Sequence, residues 1–158
     1  MARILPLSTD ALPPAQLRAA MPDAIFALRG YNVTNLGRSG ELLACPPYTE
    51  IVEKHLREAG LIAAELLGRD VDLISRVREQ RETTLESYGD AVALIVAMEL
   101  AQFEILDTYF QIQPKHAKFA FGYSLGEIAA LVISGVLNAR SALEIPLRLA
   151  YDCAALTE

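Results

Sequence analysis

A serine between two glycines, in Gly122-Tyr123-Ser124-Leu125-Gly126, is the clearest candidate for covalent chemistry in this chain. A short apolar run before it predicts a strand, and apolar residues at helical spacing follow it. A sharp strand-to-helix turn of this kind, a nucleophile elbow, exposes a serine hydroxyl for attack on a carbonyl carbon. Glycines suit the turn because side chains would crowd where strand and helix cross. The serine would stand at a helix N-terminus, where free N–H groups can stabilise an oxyanion.

A serine nucleophile also needs a base within hydrogen-bond reach, and neither of the two histidines is placed for that role. His116 precedes the serine by eight residues. An extended path puts it about 20 Å or more from the hydroxyl, at the other end of the strand. His55 falls at the border of an apolar helical stripe and is interpreted as a packed or surface residue. The sequence therefore indicates a nucleophile without a base.

The composition describes a globular domain and excludes several functional classes. The chain has 158 residues, 53% of them hydrophobic and 22% charged. A net charge of -6, with no Lys/Arg cluster, argues against nucleic acid as the main partner. The longest apolar stretch, residues 91–97, is too short to cross a bilayer, and no secretory signal is recognisable. Cys45 and Cys153 lie far apart without metal-type spacing. We expect a cytoplasmic protein in a reducing compartment, without a membrane or metal partner.

The elements that must position Ser124 follow from apolar spacing and from glycine and proline. Strands are predicted at 24–28 and at 118–122, with a loop at 31–43 between the first strand and the next helix. The first strand is continuously apolar and is therefore expected to be buried. Helices are predicted at 14–20, 48–67, 72–78, 85–109 and 124–133, and from about 140 onward, where Pro146 should kink or restart the helix. The long helix at 85–109 is apolar nearly all round and should be central.

Strands separated by helices predict an α/β domain with a parallel core sheet. Ligands of such sheets bind beyond the carboxyl ends of the strands, where Gly30 and Ser124 both fall. Three regions are predicted: an N-terminal arm at 1–23, the α/β core with its elbow at 24–137, and the start of a small subdomain at 138–158. Open strand edges should favour a partner or a dimer.

Residues 122–127, Gly-Tyr-Ser-Leu-Gly-Glu, followed by Ile-Ala-Ala-Leu-Val and Ser-Gly-Val-Leu, give the chain a family resemblance. This run resembles the malonyl-CoA:acyl-carrier-protein transacylases and the acyltransferase domains of fatty-acid and polyketide synthases, which have Gly-His-Ser-Leu-Gly-Glu, a small-residue helix and Ala-Gly-Val-Leu/Ile. The match is specific over 119–143 and weaker back to Phe-Ala-Leu-Arg-Gly at 26–30, where the family has Phe-Pro-Gly-Gln-Gly. The resemblance implies an α/β-hydrolase-like acyltransferase core, here incomplete.

The resemblance implies ping-pong acyl transfer. Ser124 would take the acyl group from an acyl-CoA as an ester, and the phosphopantetheine thiol of an acyl carrier protein would remove it. The implied oxyanion donors are the backbone N–H of Leu125 and that of Tyr31, which stands where the family has a glutamine. No permanently bound cofactor is implied.

Departures from the family pattern bear on the choice of acyl group. Tyr123 replaces the histidine that usually precedes the serine. The arginine that pairs with a malonyl carboxylate should fall 25 residues after the serine, where this chain has Leu149. Arg148 lies one residue earlier, a rotation of about 100° on a helix. A monocarboxylic acyl group is therefore expected at least as much as malonyl.

Members of this family are nearly twice as long, and their catalytic histidine lies far downstream of the serine. We therefore expect this chain to be an N-terminal portion, and three explanations stay open: a truncated product, a split enzyme completed by another chain, or an inactive scaffold. Two alternative functions also stay open. One is a serine esterase or thioesterase, and the other is a non-catalytic module that binds a carrier protein.

Overall fold

The computed structural model describes residues 13–150 and residue 152. The elements of this part are α1 (Pro14–Ala20), β1 (Ile25–Leu28), α2 (Ser39–Ala44), α3 (Pro46–Leu67), α4 (Leu73–Arg78), α5 (Tyr88–Phe110), β2 (Phe119–Gly122), α6 (Leu125–Ile133) and α7 (Ala139–Arg148). Short 3-10 turns lie at Met21–Asp23, Leu85–Ser87 and Pro114–His116. The described part is mostly helical with a small parallel sheet, which agrees with an α/β class. No helix within it has the length and apolar character needed to pass through a membrane.

Helix α5 is the centre of the hydrophobic core, as its sequence predicts. Every residue from Gly89 to Glu99 is buried, because helices pack against it on several sides. Helix α3 lies along α5, and α6 and α7 also contact it. The largest fully buried side chains come from α3, α4, α5 and α7: Leu56, Leu73, Leu94, Leu143, Leu147, Val52, Val77, Val92 and Val96.

Strands β1 and β2 run parallel, with Ile25 opposite Phe119 and Leu28 opposite Gly122. One face of this pair lies on the helices, and the Phe26 ring meets the Phe103 ring of α5 edge-on at 5.1 Å. The other face carries Ile25, Phe119 and Phe121, which are 59%, 58% and 47% exposed. The prediction that the strand at 24–28 is buried is wrong for Ile25 and Ala27, because the described helices cover only one face of the sheet.

Most predicted elements are confirmed to within two or three residues. Helix α1 has the predicted bounds, α3 ends at Gly68 in a left-handed conformation, and Asp72 caps α4 by accepting from the Ser75 N–H at 2.9 Å. The first residues predicted for the long helix form a 3-10 turn at Leu85–Ser87, on which Thr84 and Ser87 make a capping box, and α5 follows at Tyr88.

Two local predictions are wrong. The loop predicted at 31–43 contains most of helix α2, because burial of its Leu43 side chain in the core outweighs Gly37 before the helix and Gly40 within it. Helix α7 continues through Pro146 to Arg148, so the predicted restart at this proline is wrong. The proline lies in its last turn, so that few residues depend on the backbone hydrogen bond it removes. Residues 1–12 of the predicted arm, residues 153–158 of the predicted small subdomain, and Cys153 lie outside the described residues. Cys45 is a half-buried free thiol.

Candidate active site

Ser124 occupies a strained turn between β2 and α6. Its backbone angles are φ 56° and ψ -120°, a left-handed conformation that residues other than glycine rarely adopt. Such a conformation costs of the order of 1–3 kcal/mol and persists only where the surrounding structure holds it. The Ser124 side chain is exposed at the end of β2 and makes no hydrogen bond to the described residues. This is the backbone geometry of the predicted elbow.

The glycines on either side permit this turn because other backbone atoms lie very close to them. A Cβ atom at Gly122 would lie 1.9 Å from the carbonyl carbon of Gly126. A Cβ atom at Gly126 would lie 2.3 Å from the carbonyl oxygen of Leu28, at the end of β1. The first turn of α6 therefore packs directly on the ends of both strands, and this packing sets the position of Ser124.

The N-terminus of α6 presents backbone donors beside the serine. Its second and third N–H groups are used within the turn: Gly126 donates to the Tyr123 carbonyl and Glu127 to the Ser124 carbonyl, both at 3.0 Å. The N–H of Leu125 has no hydrogen-bond partner among the described residues. The Leu125 side chain is buried, whereas Tyr123 is 77% exposed at the rim. One backbone donor next to Ser124 is thus available to a ligand.

The loop after β1 lies against the elbow. A Cβ atom at Gly30 would lie 2.5 Å from the Tyr123 carbonyl oxygen and 2.9 Å from the Ser124 Cβ. Tyr31 follows directly, and its half-buried ring packs edge-on against the Tyr88 ring at 5.1 Å. The fold thus brings the backbone next to Tyr31 into contact with the Ser124 turn, although these residues are more than ninety positions apart. The role of the Tyr31 N–H stays a prediction.

A buried polar network holds this loop in place, and no pattern in the sequence predicts it. Asn35 is 4% exposed; its side-chain amide donates to Thr83 Oγ1 at 2.9 Å and to the Asn32 carbonyl at 2.7 Å. The Asn35 N–H donates to Glu82 Oε1 at 2.9 Å. Burial opposes the charge of Glu82, but backbone N–H donors outweigh it and hold the pKa of this carboxyl below its ordinary value.

Glu99 is a second polar residue that sequence reasoning missed. It is 8% exposed, and its Oε1 accepts the backbone N–H of Arg29 at 2.8 Å, immediately before Gly30. Burial raises the pKa of Glu99 to about 7, and the Arg29 N–H and guanidinium lower it only in part. Its other oxygen, Oε2, is buried without a hydrogen-bond partner among the described residues. The available signal was a single acidic residue inside the apolar run of α5.

Neither histidine is placed to act as the base for Ser124. His116 ends the 3-10 turn that precedes β2, at the end of the strand away from the serine. The Nε2 atom of His55 is 2.7 Å from Glu104 Oε2, in the contact between α3 and α5. Burial opposes the charge of Glu104, but hydrogen bonds from Lys54 and His55 hold its pKa below the ordinary value. Both expectations about the histidines agree with these positions.

Arg148 and Leu149 lie at the end of α7. The Arg148 guanidinium forms an exposed ion pair with Glu144 one turn earlier, at 2.6 Å. Leu149 is 51% exposed and ends the helix. Because α7 is continuous through Pro146, the proline does not move Arg148 into the position of its neighbour. A part in acyl selection stays a prediction for Tyr123, Arg148 and Leu149 alike.

Ser124 does not line the cavities found beside the sheet. A cavity of about 710 Å³ lies between the loop after β1, the start of α3 and helix α5, and Glu99 is among its lining residues. Within the described ranges, no three His, Cys, Asp or Glu side chains are grouped so that they could hold a metal ion. The Ser124 side chain itself is exposed at the ends of the two strands.

Comparison of this chain with models of protein families, with curated proteins and with solved structures finds no match to any of them.

Proposed function

We propose that this chain carries the nucleophile of an acyltransferase, which moves an acyl group from acyl-CoA to the thiol of an acyl carrier protein in fatty-acid or polyketide biosynthesis. The single observation that carries the proposal is the conformation of Ser124. Ser124 is exposed, has a φ of 56° and lies between a strand and a helix. The two glycines that flank it, Gly122 and Gly126, lie directly against other backbone atoms. Such strain at an exposed nucleophile is typical of a catalytic elbow.

The sequence around the turn makes the proposal narrower than serine hydrolysis. The run from Gly122 to Glu127 and the Ser-Gly-Val-Leu segment after α6 resemble the transacylase family. Glu127 is exposed in the first turn of α6, where a negative charge also complements the helix dipole. The α/β-hydrolase-like acyltransferase core is part of the same proposal.

In the first half-reaction, Ser124 Oγ attacks the thioester carbonyl carbon of acyl-CoA, and its proton passes to a base. This attack turns the carbonyl oxygen into an oxyanion. The Leu125 N–H, unpartnered among the described residues, donates to the oxyanion, and the Tyr31 N–H is the second proposed donor. The C–S bond breaks as the oxyanion collapses. CoA leaves as the thiol after receiving the proton. In the second half-reaction, the carrier-protein thiol attacks the acyl-serine ester, its proton returns to Oγ, and a thioester forms.

The base is proposed to come from outside the described residues. His55 is engaged by Glu104, and His116 lies before the opposite end of β2. The acyl group is proposed to be monocarboxylic at least as readily as malonyl, because Leu149 stands where the family has its carboxylate-binding arginine.

Intact-mass measurement after incubation with acetyl-CoA or malonyl-CoA tests this function. We expect a mass increase of one acyl group, at least as fast with acetyl-CoA, and its loss when a phosphopantetheine-bearing carrier protein is added. Ser124→Ala should abolish the increase, whereas Ser134→Ala, an exposed serine at the other end of α6, should leave it unchanged.

An adduct that persists in Ser124→Ala would contradict the proposal. An adduct that water removes as fast as the carrier protein does would favour an esterase or thioesterase instead. If neither acetyl-CoA nor malonyl-CoA forms an adduct, the result favours a non-catalytic module. The positions of both histidines agree with this alternative, since neither can act as the base for Ser124. Binding of the carrier protein without acylation would then be the expected result.

A further inference from the structure

The two-residue segment Arg29-Gly30, which follows β1, contacts both helix α5 and the turn at Ser124. Toward α5, the Arg29 N–H donates to Glu99 Oε1 at 2.8 Å. Toward the turn, a Cβ atom at Gly30 would lie 2.9 Å from the Ser124 Cβ. A Cβ atom at Gly126 would lie 2.9 Å from the Arg29 carbonyl oxygen. The Glu99 carboxyl group is therefore linked to the elbow through two residues of main chain.

The peptide bond after Gly30 carries the Tyr31 N–H, the second proposed oxyanion donor. This N–H makes no hydrogen bond to the described residues. The next two N–H groups are both used within the loop: Asn32 donates to Asn35 Oδ1 at 2.9 Å, and Val33 donates to Asn32 Oδ1 at 2.7 Å. The Tyr31 N–H thus lies between a loop anchored by Asn35 and the Gly30 contact with the elbow.

Glu99 is a costly residue for its place in the core. It lies in the apolar run of α5 and is 8% exposed, and burial raises the pKa of its carboxyl group. Its hydrogen bond within the described part of the chain is the one from the Arg29 N–H. A leucine would fill a similar volume without burying a polar group. Buried ionisable groups with a raised pKa are concentrated at functional sites.

From these contacts we propose that Glu99 is a positioning residue of the acyltransferase site. By accepting the Arg29 N–H, it holds Gly30 against Ser124 and so keeps the Tyr31 N–H in place for the oxyanion. Donors that are fixed before the reaction stabilise the developing charge without rearrangement. This inference rests on the proposed function, because it concerns the same oxyanion.

Single-turnover acylation of the full chain by acetyl-CoA, followed by intact mass, tests this role. Glu99→Leu removes the acceptor, whereas Glu99→Gln keeps an oxygen for the Arg29 N–H. At saturating acetyl-CoA, the acylation rate constant should fall about a hundredfold in Glu99→Leu, the lower end for loss of an oxyanion donor. Glu99→Gln should restore most of the rate. The acetyl-CoA concentration that gives half the maximal rate should not change, because the lost interaction belongs to the transition state.

The fraction of chains acylated separates positioning from folding. A structural role for Glu99 would lower the reacting fraction and the urea midpoint of Glu99→Leu, whereas a positioning role lowers the rate constant alone. Met98→Leu, a buried neighbour on α5, is the matched control for repacking and should react as the unaltered chain does. If Glu99→Leu does not fold, Glu99→Met takes its place, since it also lacks an oxygen acceptor.

Amide hydrogen exchange gives a readout that needs no acyl donor. The Arg29 N–H should exchange faster in Glu99→Leu than in Glu99→Gln or the unaltered chain. Unchanged exchange at Arg29, equal rate constants in all variants, or a loss confined to the reacting fraction would overturn this role and leave the proposed function standing. Absence of acylation in the unaltered chain would overturn the proposed function, and this role with it.

Discussion

The two faces of the small sheet differ in how closely other elements pack on them. On the inner face, Gly122 and Gly126 bring backbone atoms of β2, α6 and β1 into direct contact, and Phe26 packs against Phe103. On the outer face, Phe119 and Phe121 stack on each other at 6.2 Å between ring centroids and remain about half exposed. The candidate nucleophile belongs to the packed side, where its position is set within the chain itself.

No described element covers the outer face of the sheet or the free edge of β1. Parallel sheets usually carry helices on both faces, and exposed apolar edge strands favour association. The groups needed for the proposed chemistry divide in the same way, into those built close to Ser124 and those that are not. The strained serine and its backbone donor are built from near neighbours, whereas neither histidine is placed as a base and no described element covers the outer face of the sheet.

The packed side should be the most sensitive to change. Gly126→Ala places a Cβ atom against the Leu28 carbonyl group, which belongs to a paired strand and cannot rotate away. We expect the free energy of unfolding to fall by about 3 kcal/mol or more, the upper range for overpacking, as measured by urea denaturation. Gly68→Ala is the control, because Gly68 has a φ of 65° with no atom within 4 Å of the added Cβ. It should cost about 1–2 kcal/mol, for strain alone. Equal losses of unfolding free energy in Gly126→Ala and Gly68→Ala would show that α6 does not pack against β1.

A pair of phenylalanines compares the two faces directly. Phe26→Ala should lower the free energy of unfolding by about 2 kcal/mol, below the range for a fully buried phenylalanine, since its half-buried ring packs on Phe103. Phe119→Ala should change it by about 0.5 kcal/mol or less, as is usual for surface positions. Thermal and urea unfolding of both variants would measure this. A large loss in Phe119→Ala would mean that the outer face is already covered in the isolated chain.

The pH dependence of stability tests the burial of Glu99 beside the Arg29 N–H. Because its pKa is raised from 4.5 to about 7 on folding, the folded chain binds more protons than the unfolded chain between these pH values. The free energy of unfolding should therefore contain a component that falls as pH rises through this window, by up to about 3 kcal/mol at about 1.4 kcal/mol per pKa unit.

Glu99→Gln should remove that component, so its stability relative to the unaltered chain should increase from pH 4.5 to above pH 7. The difference between the two proteins is the quantity to measure, since Glu82 and Asp72 have lowered pKa values and act in the opposite direction. Parallel stability curves would indicate that Glu99 is solvated in solution.

Much of the local structure could be predicted from the residues alone. Glycine, proline and capping residues mark most helix ends, as at Gly68 and Asp72, because these signals act over only a few positions. The turn at Ser124 was predictable for the same reason: the Gly-x-Ser-x-Gly spacing states which positions cannot carry a side chain. Helix α2 and the continuity of α7 were not predictable, because burial of Leu43 and Leu147 outweighs local glycine and proline preferences.

Three features depended on the folded chain. The contact of Gly30 with the elbow, the burial of Glu99 beside Arg29, and the network of Asn35 with Thr83 and Glu82 join residues far apart in sequence. Exposure of the outer sheet face is of the same kind, since an apolar strand looks identical in sequence whether or not another element covers it. Local patterns therefore identified the candidate nucleophile, because the spacing of its glycines is a property of a few neighbouring residues. Packing between distant segments decided which loop lies against it and which face of the sheet is exposed.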